Sequence, residues 1–242
     1  MADKNAKDNV TEGFSLEDRS VELYHKSVEF FKRNQTATYT VLGLLVAGAV
    51  LWVVRGNMVK RASAQAHTEM GQAFSRLDQG KYDSAAIYLE KVAQANAGIE
   101  SAKAALLLAG IQLGRGQTDK AETNYKIARD KSQGLPVLWA GGQRGLAVCA
   151  MNRKNYKDAE SLLKDLLSKY QRATGDAKAR GLDEDGKDEV PFLSQVMWQL
   201  VLVREAQGDL KGAKEQANRL IKVYPGVEDA QEARRFLALN GG

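Results

Sequence analysis

Two hydrophobic patterns divide the chain. From Asn34 to Val54 no residue is charged, and Val41 to Val54 is apolar throughout. At about 1.5 Å of rise per residue, these twenty-one residues cover roughly 30 Å, the depth of a bilayer core. Lys32 and Arg33 bound the run on one side; Arg55, Lys60 and Arg61 bound it on the other. Tyr39 and Trp52 fall near its ends, where amphipathic rings favour the headgroup region. The pattern predicts a transmembrane helix over residues 37–55, with Thr38, Tyr39, Leu44, Leu45, Val50, Leu51, Trp52 and Val54 in the span.

A cleaved signal peptide is the competing reading, because Ala62-Ser63-Ala64 and Ala64-Gln65-Ala66 resemble small-x-small cleavage sites. Arg55, Lys60 and Arg61 intervene before either site, and the upstream segment is far longer than a usual n-region, which favours an uncleaved anchor. Charge does not decide orientation: Arg19, Lys26, Lys32 and Arg33 precede the span, against Arg55, Lys60 and Arg61 after it. Upstream, residues 1–15 are expected to form a disordered tail. Residues 16–36 set Val21, Tyr24, Val28 and Phe31 at spacings of three and four, an amphipathic helix that lies at the interface or extends the span into water.

From residue 62 to 242 the pattern changes to helical periodicity broken by short polar turns. The turns repeat: Gly80-Lys81-Tyr82-Asp83-Ser84-Ala85, Gly116-Gln117-Thr118-Asp119-Lys120-Ala121, Lys154-Asn155-Tyr156-Lys157-Asp158-Ala159 and Gly208-Asp209-Leu210-Lys211-Gly212-Ala213. After each turn the apolar residues share one face, as in Ala85, Leu89 and Val92 or Ala213, Ala217 and Leu220. Before each lies another helix, carrying Met70, Phe74 and Leu77 in the first copy and Met197, Leu200 and Val201 in the fourth. Gly80, Gly116 and Gly208 suit the left-handed end of a helix; Asn155 and Asp209 suit the cap of the next. Residues 171–190 interrupt the third and fourth copies with a charged, glycine-containing loop. Its Asp183-Glu184-Asp185-Gly186 does not make a calcium loop, since Gly181 and Phe192 fall where carboxylates are required.

Composition agrees with an all-helical chain: proline occurs only three times, at Pro136, Pro191 and Pro225. Pro136 and Pro191 stand where helices are expected to begin. The net charge of +5 arises from Lys and Arg interleaved with acids, so no basic stripe for nucleic acid forms. Cys149, the single cysteine, rules out an intramolecular disulfide and reads as a small buried residue. His25 and His67 lie on opposite sides of the span, and neither a phosphate-binding loop nor metal-ligand spacing occurs. No enzyme activity, metal or cofactor is expected.

The four turns with their small residues resemble tetratricopeptide repeats, with Tyr224-Pro225 similar to the proline that closes such units and residues 228–239 as a capping helix. Lys154 in place of glycine and the missing early aromatic of each first helix depart from that pattern. The resemblance implies an all-α fold: one transmembrane helix followed by a tetratricopeptide-type solenoid of helical hairpins. Side chains of the first helices would line a concave protein-binding surface, with His67, Lys103, Arg144, Gln195 and Trp198 as candidates. For Trp198, packing against Trp139 or the insertion is the alternative.

Val28-Glu29-Phe30-Phe31-Lys32-Arg33, the span and the domain order are similar to the YfgM-type ancillary proteins of the bacterial Sec translocon. That resemblance implies a bacterial inner-membrane protein with a cytoplasmic N-terminus and periplasmic repeats that engage translocon subunits or exported chains. A structural subunit of an envelope assembly, serving outer-membrane biogenesis, motility or secretion, is the alternative.

Overall fold

The computed structural model describes residues 35–95, 97–132, 134–170 and 190–241. The expected tail (1–15), nearly all of the amphipathic helix (16–36) and the insertion up to residue 189 lie outside them. The described residues form nine α-helices and no strand.

Helix α1, Gln35–Asp78, runs without interruption for 44 residues. No proline falls between residues 55 and 62, and an isolated Gly56 costs a helix only about 1 kcal/mol, so nothing in the sequence ends the helix there. The chain divides into two compact units at the Asn57–Met58 bond. In the first unit Leu44, Leu51 and Trp52 are exposed, Trp52 by 79%. With a mean hydropathy of 1.8 and none of its apolar window buried, this helix is long and apolar enough to cross a membrane.

The second unit is a stack of hairpins. The end of α1 pairs with α2 (Tyr82–Gln94), α3 (Ile99–Gly114) with α4 (Thr118–Asp130), α5 (Pro136–Asn152) with α6 (Tyr156–Tyr170), and α7 (Leu193–Ala206) with α8 (Leu210–Val223). Helix α9 (Glu228–Leu239) follows, burying Ala230, Ala233 and Phe236. Pro136 opens α5 as expected, whereas Pro191 precedes the first residue of α7 by two positions. From α2 onward each helix packs on its neighbour in sequence, α3 also touches α5 and α7 touches α9, and Met70 and Ala73 at the end of α1 join Leu89 and Val92 of α2 in one hydrophobic cluster. The turn alanines Ala85, Ala121, Ala159 and Ala213 are fully buried, where a small side chain lets two helices approach.

All four turns share one geometry. In the first, the Gly80 N–H donates to the Leu77 carbonyl and the Lys81 N–H to the Arg76 carbonyl, both at 2.8 Å. The pair recurs at Gly116 and Gln117, at Lys154 and Asn155, and at Gly208 and Asp209. This double bond pattern needs a left-handed residue at its centre. Gly80, Gly116 and Gly208 provide it at φ of 68°, 72° and 81°; Lys154 is forced into it at 58°. The expected caps form as well. The Asp209 carboxylate accepts from the Gly212 N–H at 2.9 Å, and Asn155 Oδ1 accepts from the Asp158 N–H at 3.4 Å.

Ion pairs tie one hairpin to the next. Arg115, at the end of α3, reaches back to Asp83 in the first turn of α2 at 2.7 Å. Arg153, after α5, meets Asp119 and Glu122 of α4. Arg204 and Gln207, at the end of α7, meet Glu160 of α6 at 3.4 and 3.2 Å. Five residues ahead of each turn stand Ser75, Ile111, Cys149 and Val203. The last three join the hydrophobic clusters of the stack, Cys149 with Ala121 and Tyr125 of α4, while Ser75 is exposed and polar.

Candidate partner-binding groove

The shared turn geometry fixes a common register for the first helices. Thirteen residues ahead of the turns come His67, Lys103, Gly141 and Gln195; ten ahead come Met70, Leu106, Arg144 and Trp198. The five residues expected to bind a partner therefore fall on two rows that run across the stack.

The first half of these rows lines an open cleft of about 510 Å³ between α1, α3 and α5. His67, Met70, Gly71 and Phe74 come from α1, Glu100, Lys103, Leu106 and Leu107 from α3, and Leu138 from α5. His67 and Lys103 thus share one site. Lys103 is partly neutralised there by Glu100, with Nζ at 3.0 Å from Oε1. Phe74 was expected on the inner face of its helix, yet it is 47% exposed and belongs to the cleft. The register explains the difference: its counterpart in α3, six residues ahead of the turn, is the equally exposed Gly110. Of the cleft lining, the sequence pointed only to His67 and Lys103; the row ten residues ahead of the turns would have added Met70 and Leu106, whereas Phe74, Leu107 and Leu138 lie off both rows and are placed there by the packing of the helices.

The second half is polar. Arg144 is half-buried; its Nε donates to Gln199 Oε1 at 3.2 Å, and its guanidinium carbon lies 5.4 Å from the Phe192 ring centre. Burial draws its pKa below the usual arginine value. Gln195 is exposed on α7 and makes no contact with the cleft residues His67 and Lys103. Trp198 is half-buried and meets Phe236 of α9 edge-on, centroids 6.2 Å apart. Trp139 instead packs on Tyr170 at 5.9 Å, beneath Lys169 at 4.0 Å from its ring. Trp198 therefore packs on the final helix; of the alternative named for it, Trp139 pairs with Tyr170 instead, and the insertion lies outside the described residues.

Cys149 is fully buried, and burial, followed by the nearby Glu122 charge, pushes its thiol up to about 11, so it remains protonated at neutral pH. Among the described residues no three His, Cys, Asp or Glu side chains converge as metal ligands. Shape and polarity, apolar toward α1 and cationic toward α7, are what the groove presents.

Comparison with known proteins agrees with this geometry. Residues 76–134 and residues 195–226 each match a family model described as tetratricopeptide repeat. No curated protein sequence matches at a significant level. Among solved structures, the chain is similar to the apo form of RapI (TM-score 0.57, 13% identity), over 74% of this chain and 48% of that one, so it spans about half of RapI's length. It is also similar to the nearly identical TPR-like repeats of a Podosopora anserina kinesin light chain (TM-score 0.51, 14% identity), over 72% of this chain and 86% of that one. MamA matches over 73% of this chain and 85% of its own, at a TM-score of 0.50 and 15% identity. Identities this low establish the fold and not the ligand. The chain carries tetratricopeptide repeats, arranged as an all-helical solenoid of that type.

Proposed function

We propose that the protein is a membrane-anchored scaffold or chaperone-like adaptor that captures protein segments in the groove between α1, α3 and α5 and catalyses nothing itself. The cleft carries this reading. Its floor of Met70, Leu106 and Leu107 is bordered by the exposed Phe74 and by the Lys103–Glu100 pair, an apolar centre with a polar rim as protein-binding sites have. Helical repeats of this kind use their concave face for protein contacts. The exposed apolar stretch of α1 supplies the tether, which raises the groove's effective concentration near membrane partners. The likeness of residues 21–70 to Sec-translocon ancillary proteins supports an inner-membrane location with the repeats in the periplasm, receiving exported chains.

A photo-cross-linking amino acid at Leu107, with exposed Glu90 as control, tests the reading in native membranes. Adducts at Leu107 with translocon subunits or exported chains would support it. No adducts there, or the same ones at Glu90, would sink it. A single stoichiometric assembly would instead favour a structural role in the envelope. A topology reporter fused after Gly242 that read cytoplasmic would refute the periplasmic placement.

A further inference from the structure

The connections between hairpins gather at one edge of the repeat unit. Lys131 Nζ, just after α4, donates to the Ala93 and Ala95 carbonyls at the end of α2, at 3.4 and 3.2 Å, so the α2–α3 and α4–α5 connections lie together. Glu69 of α1 meets Lys91 of α2 at 3.9 Å, which places the same edge on α1. Pro136, the first residue of α5, and Ala62 of α1 both stand eighteen residues ahead of their turns. The exposed Lys60 and Arg61 therefore lie just beyond the level at which α5 begins, and the first acid after them on α1 is Glu69.

Apolar side chains are exposed at this edge as well. Leu135 and Val137, on either side of Pro136, are 40% and 44% exposed. A helical side chain leans toward the N-terminus of its helix, so Val137 is directed out past the start of α5. Acids close by are already held, Glu100 by Lys103 and Asp130 by Arg129, at 3.0 and 2.9 Å. Two cations and two exposed aliphatic side chains along one edge suit an anionic lipid surface.

Chain connectivity decides which partner this edge meets. Six residues separate Val54, the end of the apolar run, from Lys60, a stretch that reaches at most about 21 Å. With residues 37–55 in the bilayer, the edge is confined to the neighbourhood of its surface, where effective concentration favours even a weak contact. We propose that the edge docks on that surface, with Leu135 and Val137 entering the headgroup region and Lys60 and Arg61 binding the phosphates of anionic lipids. The proposal rests on the reading of residues 37–55 as a membrane span and adds a second, peripheral contact made by the repeats.

The test places an environment-sensitive fluorescent amino acid at Val137 of the full chain, in nanodiscs containing phosphatidylglycerol. Exposed Gln117, in the α3–α4 turn at the opposite edge, carries the probe in the control. Lipids brominated in their acyl chains are expected to quench the probe at 137 and to leave the one at 117 unchanged. Lys60→Gln and Arg61→Gln should each lower the ratio of docked to undocked chain, read from the quenched fraction, about fivefold, the worth of one basic residue at an anionic surface. Discs of phosphatidylcholine alone should likewise reduce the quenching. Helical melting curves confirm that each variant is folded. A probe at 137 that stays in water would overturn the proposal. So would one shielded from water but not quenched by brominated lipid, as a protein partner or a second copy would leave it, or quenching indifferent to both lipid charge and the substitutions. In each of those cases a chain that still resists alkaline extraction keeps its span and loses only the peripheral contact; a chain that does not enter the discs removes the span reading and the proposal with it.

Discussion

Lys154 shows how far the fold overrides a single residue. Three turns spend a glycine on the left-handed position, and the fourth holds a lysine there at φ 58°. A side chain in that region costs roughly 1–2 kcal/mol, partly offset by the extra unfolded freedom of glycine. Lys154→Gly is therefore expected to stabilise the repeats by about 0.5–1 kcal/mol, read as a higher denaturant midpoint at an unchanged m-value. Ser101 is the opposite case. Its hydroxyl is fully buried, accepts from the Ala97 N–H at 3.2 Å and reaches the Val92 carbonyl at 2.9 Å, closing the α2–α3 connection. Ser101→Ala removes the acceptor of the Ala97 N–H, while the Val92 carbonyl keeps the Ala95 N–H at 3.2 Å, and is expected to cost about 1–3 kcal/mol in the same assay. Cys149 adds a pH effect. The unfolded thiol ionises near 9.0, whereas the folded one holds its proton to about 11. Above pH 9 the unfolded state gives up the proton first, so stability should fall as pH rises toward 11. The difference in melting between the wild type and Cys149→Ala across that range isolates the thiol's share and should grow to about 2 kcal/mol.

At the level of elements, the hairpins were legible because their signals agree: turn glycines, capping Asn and Asp, and alanine-opened apolar faces point to the same boundaries. What escaped was set by contacts between elements. A glycine inside a helical pattern reads as a weakness, yet Gly142 and Gly145 of α5 let α4 approach. A Cβ on Gly142 would stand 2.8 Å from the Arg129 nitrogen and 2.9 Å from the Tyr125 carbonyl, and one on Gly145 would overlap the Tyr125 ring. In an isolated helix Gly145→Ala would gain up to about 1 kcal/mol of propensity. Here Tyr125 must move out of a packed site, so the substitution is expected to destabilise by about 1–3 kcal/mol. A calorimetric melt decides the sign. The groove was half legible for the same reason. His67 and Lys103 follow from the register of the first helices and share the cleft, but Phe74, which reads as core from its apolar side chain, is 47% exposed on that same cleft.

For the whole molecule, the sequence carries two solutions to the burial of apolar surface. The repeats bury theirs against one another; along the apolar run of α1, the described Leu44, Leu45 and Leu51 are between 66% and 70% exposed. Hydrocarbon exposed in this way suits a nonpolar surrounding, and the helix is long and apolar enough to cross a bilayer. If that is the role of residues 37–55, a charge at the middle of the run should be costly there and nowhere else. Ala47→Arg places a guanidinium near the centre of the run, on an exposed residue, at an insertion cost of about 3 kcal/mol. The expected result is a protein that loses resistance to alkaline carbonate extraction yet keeps the helical melting of its repeats. A variant that stays in the membrane pellet would mean that something other than this helix holds the chain there. One whose repeats also melt early would mean that the run supports the fold directly and that its exposure is not its function.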